Sequence, residues 1–258
     1  MIASKIAWTD FSGTPFNIVT GCTPVSAGCQ NCYARSIYQR FGKNFGEITT
    51  HPDKVERLYT ARFPEYSPKR GAPHKPMAFI CDTGDLFHEA VPDAFIDLAM
   101  QVMCTRNDVI WQVLTKRAER MEDYFYHWCN EAQGPVPDNV WLGVTAENQQ
   151  AADDRIPLLL AIDAKVRFVS VEPMLGPADL YPAFCGYQPP SWGQGPDISW
   201  VIVGAESGPN RRPFEVAWAV DLYKQCENSH VAFFGKQDSA LRPGSPLLLP
   251  GLVHEWPR

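Results

Sequence analysis

The 258-residue sequence lacks several features that would point to particular classes of protein. It has no block of basic residues, and its formal net charge is −6, so the overall charge does not favour electrostatic binding to nucleic acid. It has no apolar run long enough to cross a bilayer. Its start, MIASKIAWTDF, lacks the apolar core of a signal peptide. We therefore expect a cytoplasmic protein that is not embedded in a membrane.

Internal repeats and low-complexity tracts are also missing, and no segment looks like a linker between independent domains. The hydrophobic fraction of 45% and the aromatic fraction of 12% are typical of a folded globular protein. The length suits one large α/β domain or two small ones. We expect a single domain over residues 1–258, with an insertion at about 42–76, a Pro/Gly-rich loop at about 182–199 and a C-terminal tail at about 238–258.

Short, almost wholly apolar runs alternate with amphipathic stretches along the chain. This alternation predicts an α/β fold: a partial or near-complete (β/α) barrel of about six or seven parallel strands with outer helices. Within residues 93–104, 117–129 and 213–226, apolar side chains recur at i, i+3, i+4 and i+7, which predicts helices that pack on the sheet. The predicted strands are 15–20, 77–81, 109–115, 140–145, 166–171, 200–205 and 231–235.

Charged or hydrogen-bonding residues follow nearly every predicted strand. In parallel α/β folds the carboxyl ends of the strands lie on one face, and that face carries the active site. Helix capping explains single members of the set, but not three glutamates and two lysines at equivalent positions. We therefore predict an active site at these ends. The residues are Asp82, Thr83, Gly84 and Asp85, then Lys116 and Arg117, Glu147 and Asn148, Glu172, Glu206 and Ser207, and finally Lys236 and Gln237.

The cysteines are unevenly distributed. Of the eight, Cys22, Cys29 and Cys32 fall within eleven residues, with the spacing C-x6-C-x2-C directly after the first predicted strand. In a reducing compartment such clustering indicates a metal rather than a disulfide framework. Three thiolates suit a [4Fe–4S] cluster whose fourth iron stays open to a chelating cosubstrate. The alternative is zinc, which requires a fourth ligand in a structural site; Cys81 or His88 could supply it.

Nine strings spread along the chain resemble a known family. They are AWTD (7–10), NIVTGC (17–22), GCQNCYA (28–34), DLFHE (85–89), VLTKR (113–117), WLGVTAENQ (141–149), RFVSVEPMLGP (167–177), VIVGAESGP (201–209) and FFGKQ (233–237). The cysteine loop after the first strand of a partial barrel resembles the radical S-adenosylmethionine (radical SAM) superfamily. The whole chain is similar to a phage-associated family of radical-SAM-like proteins of otherwise unknown function. Its first cysteine gap is three residues longer than the C-x3-C-x2-C common in the superfamily.

The resemblance implies an enzyme whose [4Fe–4S] cluster is held by Cys22, Cys29 and Cys32. It implies S-adenosylmethionine as cosubstrate, an electron donor such as flavodoxin or ferredoxin, and a 5′-deoxyadenosyl radical that abstracts hydrogen from the substrate. The resemblance does not indicate whether the enzyme is an isomerase, a lyase or a transferase. The resemblance places cofactor contacts at Thr83, Gly84, Asp85, Thr145, Glu147 and Asn148, and we assign catalytic roles to Lys116, Glu172, Glu206 and Lys236.

A phage origin would place the protein in the cytoplasm of the host cell and suggests a substrate. Phages alter their DNA bases, so we expect a modified nucleobase, in DNA or as a nucleotide, that is rearranged or extended by a C–C bond. A rim of Lys116, Arg117, Arg211, Arg212 and Lys236 would bind phosphate; alternatively, Arg211 and Arg212 only pair with Glu206 and Glu215.

Two other functions remain open. One is a zinc-stabilised, non-catalytic binding or scaffold protein on the same barrel, and the other is a metal-dependent hydrolase that uses Glu147, Glu172, Glu206 and His88.

Overall fold

The computed structural model describes residues 3–130, 134–184, 198–247, 249 and 253–257, and its main element is a six-stranded parallel sheet. In chain order the elements are β1 (Val19–Thr20), α1 (Tyr33–Arg40), β2 (Thr49–Thr50), α2 (Pro52–Thr60), β3 (Met77–Ile80), α3 (Asp93–Thr105), β4 (Ile110–Thr115), α4 (Ala118–Asn130), β5 (Val140–Thr145), α5 (Gln149–Leu160), β6 (Arg167–Val171), α6 (Tyr181–Phe184), β7 (Trp200–Gly204), α7 (Val216–Asn228) and β8 (Ala232–Gln237).

The sheet has the strand order β3-β4-β5-β6-β7-β8 and confirms the predicted α/β half-barrel with surrounding helices. Nearly all of its strand residues are buried, because helices cover parallel sheets on their faces. The three amphipathic stretches form α3, α4 and α7 as predicted. No helix in the described part of the chain is long and apolar enough to span a membrane.

The first predicted strand, 15–20, is wrong as a member of this sheet. Only Val19 and Thr20 are extended, and they pair antiparallel with Thr50 and Thr49. The edge of β3 is occupied by Phe11 instead, whose N–H donates to Met77 O and whose O accepts from Phe79 N. With that edge already hydrogen-bonded, the chain at 15–20 cannot add a seventh parallel strand there.

Two compact units make up the chain. The N-terminal unit comprises Met1–Val25 and Cys32–Trp141, and the C-terminal unit comprises Ser26–Asn31 and Leu142–Arg258. In the N-terminal unit, the predicted insertion at 42–76 contains β2 and α2. Helix α2 packs against α3, and the Arg106 guanidinium donates to the carbonyl oxygens of Leu58 and Tyr59 at 2.8 and 2.9 Å. The insertion is therefore an integral layer of this unit.

In the C-terminal unit, the described part of the tail covers the outer edge of β8. His254 forms an antiparallel bridge with Phe234, and Gly235 N donates to Val253 O at 3.0 Å. The buried Trp200 also donates its indole N–H to Glu255 O at 2.8 Å. The tail thereby satisfies backbone groups that an open edge strand would leave exposed. Most of the predicted Pro/Gly-rich loop (185–197) and parts of the tail (248, 250–252 and 258) lie outside the described residues.

We predict that Gly143 in β5 tolerates no side chain. A Cβ atom there would lie 2.5 Å from two ring carbons of Phe168, which is fully buried. Gly143→Ala should lower the free energy of unfolding by about 1–3 kcal/mol because the core must shift to admit the methyl group. Gly176→Ala is the matched control, since nothing lies within 4 Å of its Cβ position. Equal urea midpoints for both variants would contradict this packing.

Candidate functional site

Arg117, directly after β4, lies at the centre of a buried network in the N-terminal unit. Its side chain is 4% exposed, and its Nη1 lies 3.3 Å from Asp85 Oδ2 and 3.4 Å from Cys22 Sγ. Its Nε donates to both carboxylate oxygens of Glu89, and its Nη2 donates to Thr23 O and Oγ1 at 3.0 Å. Burial alone lowers the pKa of Arg117, but the charges of Asp85 and Cys22 outweigh it and raise that pKa. Arg117 is therefore a fixed cation beside the first cysteine of the motif.

Both carboxylate oxygens of Asp85 accept hydrogen bonds within this network. Thr115 Oγ1 donates to them at 2.7 and 2.9 Å, and the backbone N–H of Phe87 donates at 3.0 Å. The N–H of Lys116 and the Arg117 guanidinium complete the set at 3.4 and 3.3 Å. The contact of Asp85 with a cofactor stays a prediction, and it would require this carboxylate to exchange existing hydrogen bonds.

The Thr83–Gly84 turn after β3 is bound to the chain that leads into the cysteine motif. Gly21 N donates to Thr83 O at 3.1 Å, and Asn17 Oδ1 accepts from Thr83 N at 3.2 Å. A Cβ on Gly84 would lie 2.5 Å from Val19 O, so only glycine allows this approach of the two backbones. The predicted cofactor turn therefore also supports the cysteine loop.

Neither proposed fourth zinc ligand presents an unused donor atom. Cys81 is buried, and desolvation raises the pKa of its thiol to about 12. His88 Nδ1 accepts from Ala90 N at 3.1 Å, so Nε2 carries the proton and donates to Thr23 Oγ1 at 2.9 Å. To bind zinc, Cys81 would have to lose its proton and His88 would have to exchange one of its hydrogen bonds.

Cys29 lies in the C-terminal unit, in a segment anchored by Glu147 at the end of β5. Gly28 N donates to Glu147 Oε1 at 3.1 Å, and Arg155 Nη1 donates to Glu147 Oε2 at 2.8 Å. Burial raises the pKa of Glu147, but the Ser26 hydroxyl and Arg155 outweigh it and hold that pKa below its usual range. The buried Glu147 is therefore an anionic anchor for the backbone beside Cys29.

Glu206, after β7, anchors the same segment at its other end. Asn31 Nδ2 donates to Glu206 Oε2 at 3.0 Å, and Arg212 donates to this carboxylate through its backbone N and its guanidinium. Arg212 Nη1 also donates to Ala27 O at 2.9 Å. Burial raises the pKa of Glu206, but the hydrogen bonds of Arg212 outweigh it and lower that pKa. Of the alternative in which Arg211 and Arg212 only pair with Glu206 and Glu215, the Arg212–Glu206 pair is present, but Arg212 also binds Ala27 O.

The remaining predicted residues of the C-terminal unit serve separate contacts. Glu172 forms an ion pair with Lys236 and packs over Gly204, where a Cβ would lie 3.1 Å from the carboxyl carbon. Asn148 caps α5 by accepting from Ala151 N at 2.9 Å. Thr145 is buried, and its carbonyl oxygen accepts from Arg155 at 2.7 Å. Gln237 is also buried and donates to Ala205 O at 2.8 Å.

The three strand-end glutamates do not form one carboxylate cluster. Glu147, Glu172 and Glu206 each pair with a different cation, namely Arg155, Lys236 and Arg212. Among the described residues, no three His, Cys, Asp or Glu side chains are gathered to hold a metal ion as they stand. The pairing gives the hydrolase alternative no shared acidic site from which to work.

The predicted phosphate rim is smaller than the sequence suggests. Arg117 is buried, Arg212 is bound to Glu206, and Arg211 Nη1 donates to Gly208 O at 3.1 Å. Lys116 is half-buried, and the Lys236 ammonium faces Glu172. Four of the five proposed cations therefore contact the protein's own backbone or carboxylates, namely Arg117, Arg211, Arg212 and Lys236. Phosphate binding by the rim stays a prediction.

Sequence reasoning missed the residues that complete these networks. Thr115 and Arg155 bind the carboxylates of Asp85 and Glu147, and Asn31 reaches Glu206 from 175 positions away. Asn31 is close to a signal that the sequence does show, because it lies between Cys29 and Cys32 of the cysteine motif. Nothing in the periodicity of α5 singles out Arg155.

A family profile described as "Protein of unknown function (DUF5131)" matches residues 3–245. The chain belongs to that family. No curated protein sequence matches the chain. Membership in the radical SAM superfamily stays a prediction, as does the phage association.

Among solved structures, forms of spore photoproduct lyase are similar. A cysteine-to-serine mutant has a TM-score of 0.49 at 10% identity, covering 93% of this chain and 78% of the other. The complex with dinucleoside spore photoproduct has a TM-score of 0.43 at 12% identity, covering 79% and 58%. A double mutant with AdoMet and the dinucleoside has a TM-score of 0.41 at 11% identity, covering 83% and 60%. The chain spans less than two thirds of the length of the protein in these two complexes.

We predict strong coupling between Asp85 and Arg117. Arg117→Met should lower the free energy of unfolding by about 3–5 kcal/mol, because it leaves a buried carboxylate without its cation. Adding Asp85→Asn should restore about 1–3 kcal/mol of that loss. The control is Asp108→Asn in the more exposed Arg106–Asp108 pair, which should cost less than about 1 kcal/mol. Additive losses in a urea double-mutant cycle would show that the network is not cooperative.

Proposed function

We propose that the chain is a radical SAM enzyme that binds a [4Fe–4S] cluster through Cys22, Cys29 and Cys32. The observation that supports this most directly is that three free, partly exposed cysteines lie within eleven residues of one glycine-containing loop. Cys104 and Cys129 are also partly exposed, but each lies alone on a helix, α3 or α4. Cys81 and Cys226 are buried, and desolvation raises the pKa of both thiols. Accessible thiols at this spacing are suited to metal binding rather than to core packing.

The donor chemistry of the loop fits the proposed cluster. Thiolate sulfur is the usual ligand of iron–sulfur clusters, and three such ligands leave one iron open. The Arg117 guanidinium, 3.4 Å from Cys22 Sγ, stabilises a thiolate at that position. The same cation would offset part of the negative charge that a cluster with three thiolates carries.

When bound together, the cluster and S-adenosylmethionine would supply one-electron cleavage of a C–S bond and a 5′-deoxyadenosyl radical. The proposed cofactor contacts are Thr83 and Gly84 after β3, Thr145 as the last residue of β5, and Asn148 after β5. Asp85 and Glu147 belong to the proposed set too, but in the present arrangement their carboxylates hold protein groups. They would contact the cofactor through rearrangement or through the groups they fix.

Among the proposed catalytic residues, Glu172 and Lys236 are the pair best suited to face a substrate. Both are partly exposed, with side chains 17% and 21% accessible, and they neutralise each other at the ends of β6 and β8, the two strands that flank β7. Such a pair can hold or move a proton at the Glu172 carboxylate or bind an anionic group through the Lys236 ammonium. Lys116 remains a candidate at the end of β4, and Glu206 is engaged with Arg212.

As substrate we propose a modified nucleobase, in DNA or as a nucleotide, whose side group is rearranged or modified. The electron would come from a small donor such as flavodoxin or ferredoxin. Because the net charge is −6 and Arg117 and Arg212 are committed internally, phosphate contacts would be few and local, at Lys116, Arg211 or Lys236. A limited cationic surface favours a nucleotide or a short stretch of DNA over extended duplex binding.

Loss of any motif cysteine should abolish the cluster. Cys22→Ala, Cys29→Ala and Cys32→Ala should each lose the bound iron and the visible absorption of the anaerobically reconstituted protein, because two thiolates do not hold a stable cluster. Cys104→Ala is the control, since Cys104 lies on α3 outside the motif. Full iron content in Cys29→Ala would contradict the ligand assignment.

The reconstituted protein should also form 5′-deoxyadenosine. With S-adenosylmethionine and a strong reductant, product measured by liquid chromatography should rise with time and disappear in Cys29→Ala. A colourless protein that copurifies with zinc and forms no 5′-deoxyadenosine would instead support the zinc-stabilised scaffold.

A further inference from the structure

The six-residue segment Ser26–Asn31 of the C-terminal unit contains Cys29. Side chains that follow two strands, β5 and β7, hydrogen-bond to it. On one side, the buried Glu147 carboxylate accepts the Gly28 N–H at 3.1 Å and is itself fixed by Arg155 at 2.8 Å. A Cβ on Gly28 would lie 3.0 Å from the Glu147 carboxyl carbon, so the backbone rests directly on the side chain. This contact fixes the residue immediately before Cys29.

On the other side, Glu206 and Arg212 act as one clamp. The Arg212 guanidinium spans from the Glu206 carboxylate to Ala27 O, which it contacts at 2.9 Å. Glu206 also receives Asn31 Nδ2 at 3.0 Å, and Asn31 Nδ2 donates in addition to Asn210 O at 2.8 Å. Both ends of the segment are therefore tied to the loop that follows β7.

We propose that Glu147, Glu206 and Arg212 are positioning residues that fix the backbone around Cys29 before any cofactor binds. A short loop with three charge-assisted anchors loses much of its conformational freedom during folding, so ligand binding need not order it again. Outer partners that orient a metal ligand in this way strengthen metal binding without touching the metal. For cluster binding the inference rests on the proposed function; for the order of the segment it stands independently.

The strand-end glutamates therefore fall into two groups. Glu147 and Glu206 act on the protein's own loop, whereas Glu172 pairs with Lys236 and is left for the substrate. Arg212 has a role that charge alone does not provide, because different guanidinium nitrogens donate to Glu206 and to Ala27 O. A lysine at that position would keep the charge, but its single nitrogen would have to reach both acceptors.

Hydrogen exchange of the iron-free protein tests the clamp directly. In peptides covering 26–31, Arg212→Gln and Glu147→Gln should each raise the amide exchange rate by about tenfold or more, because each removes a hydrogen bond to a charged group. Arg212→Lys should give a smaller increase. Glu172→Gln, a strand-end glutamate that holds Lys236 instead, is the matched control and should leave these peptides unchanged.

Iron uptake supplies the second readout. The clamp variants should load iron more slowly and to a lower level than wild type, while their urea midpoints indicate whether the fold is intact. If Glu147→Gln or Arg212→Gln does not fold, Asn31→Ala replaces it, since it deletes only the surface bonds to Glu206 and Asn210 O. It should still raise exchange across 26–31 severalfold.

Different results would exclude the positioning role and the proposed function. Unchanged exchange in peptides 26–31 of folded clamp variants would overturn the positioning role, whatever the iron content. Wild-type protein that takes up no iron would refute the proposed function, while exchange in the iron-free variants would still decide the role of the clamp.

Discussion

The ion pair between Arg117 and Asp85 is the interaction on which the N-terminal part of the site depends. Both side chains are less than 10% exposed, and two buried charges are tolerated only when each has a partner and saturated hydrogen bonds. Thr115 and backbone N–H groups supply the remaining hydrogen bonds to Asp85, while Glu89 and Thr23 accept the remaining hydrogen bonds from Arg117. The consequence is a permanently charged group held 3.4 Å from Cys22 Sγ by a network that the fold cannot easily relax.

In the C-terminal unit, ion pairs also fix part of the cysteine loop, but there the groups that hold the loop are carboxylates. Glu147 and Glu206 stand where an active-site carboxylate is expected, yet each is neutralised by an arginine and holds backbone or amide groups of Ser26–Asn31. The polar ends of the strands thus divide into groups that support the cysteine loop and a pair, Glu172 with Lys236, that is only partly buried. In the proposed function, the accessible thiols and this one ion pair, rather than a ring of free carboxylates, would carry the chemistry.

Strand positions could be predicted because fully buried parallel strands leave apolar runs with few polar interruptions. The run 140–145 coincides with β5, and 109–115 exceeds β4 by one residue. The run 15–20 failed because burial and strand pairing are separate properties: Ile18 and Val19 are fully buried, but Phe11 takes the β3 edge. Partners within the site could not be predicted, since Gly28 meets Glu147 across 119 positions and Asn31 meets Glu206 across 175. Periodicity reports which face of an element is buried, not which distant loop lies over its end.

The most direct measurement is electron paramagnetic resonance of the anaerobically reconstituted, reduced protein with and without S-adenosylmethionine. If the chain is a radical SAM enzyme, the reconstituted protein should contain about four irons per chain. Its reduced cluster should give a signal whose g-values shift when S-adenosylmethionine chelates the open iron. A protein that holds zinc in place of iron, or an iron signal that S-adenosylmethionine leaves unchanged, would contradict the proposed function.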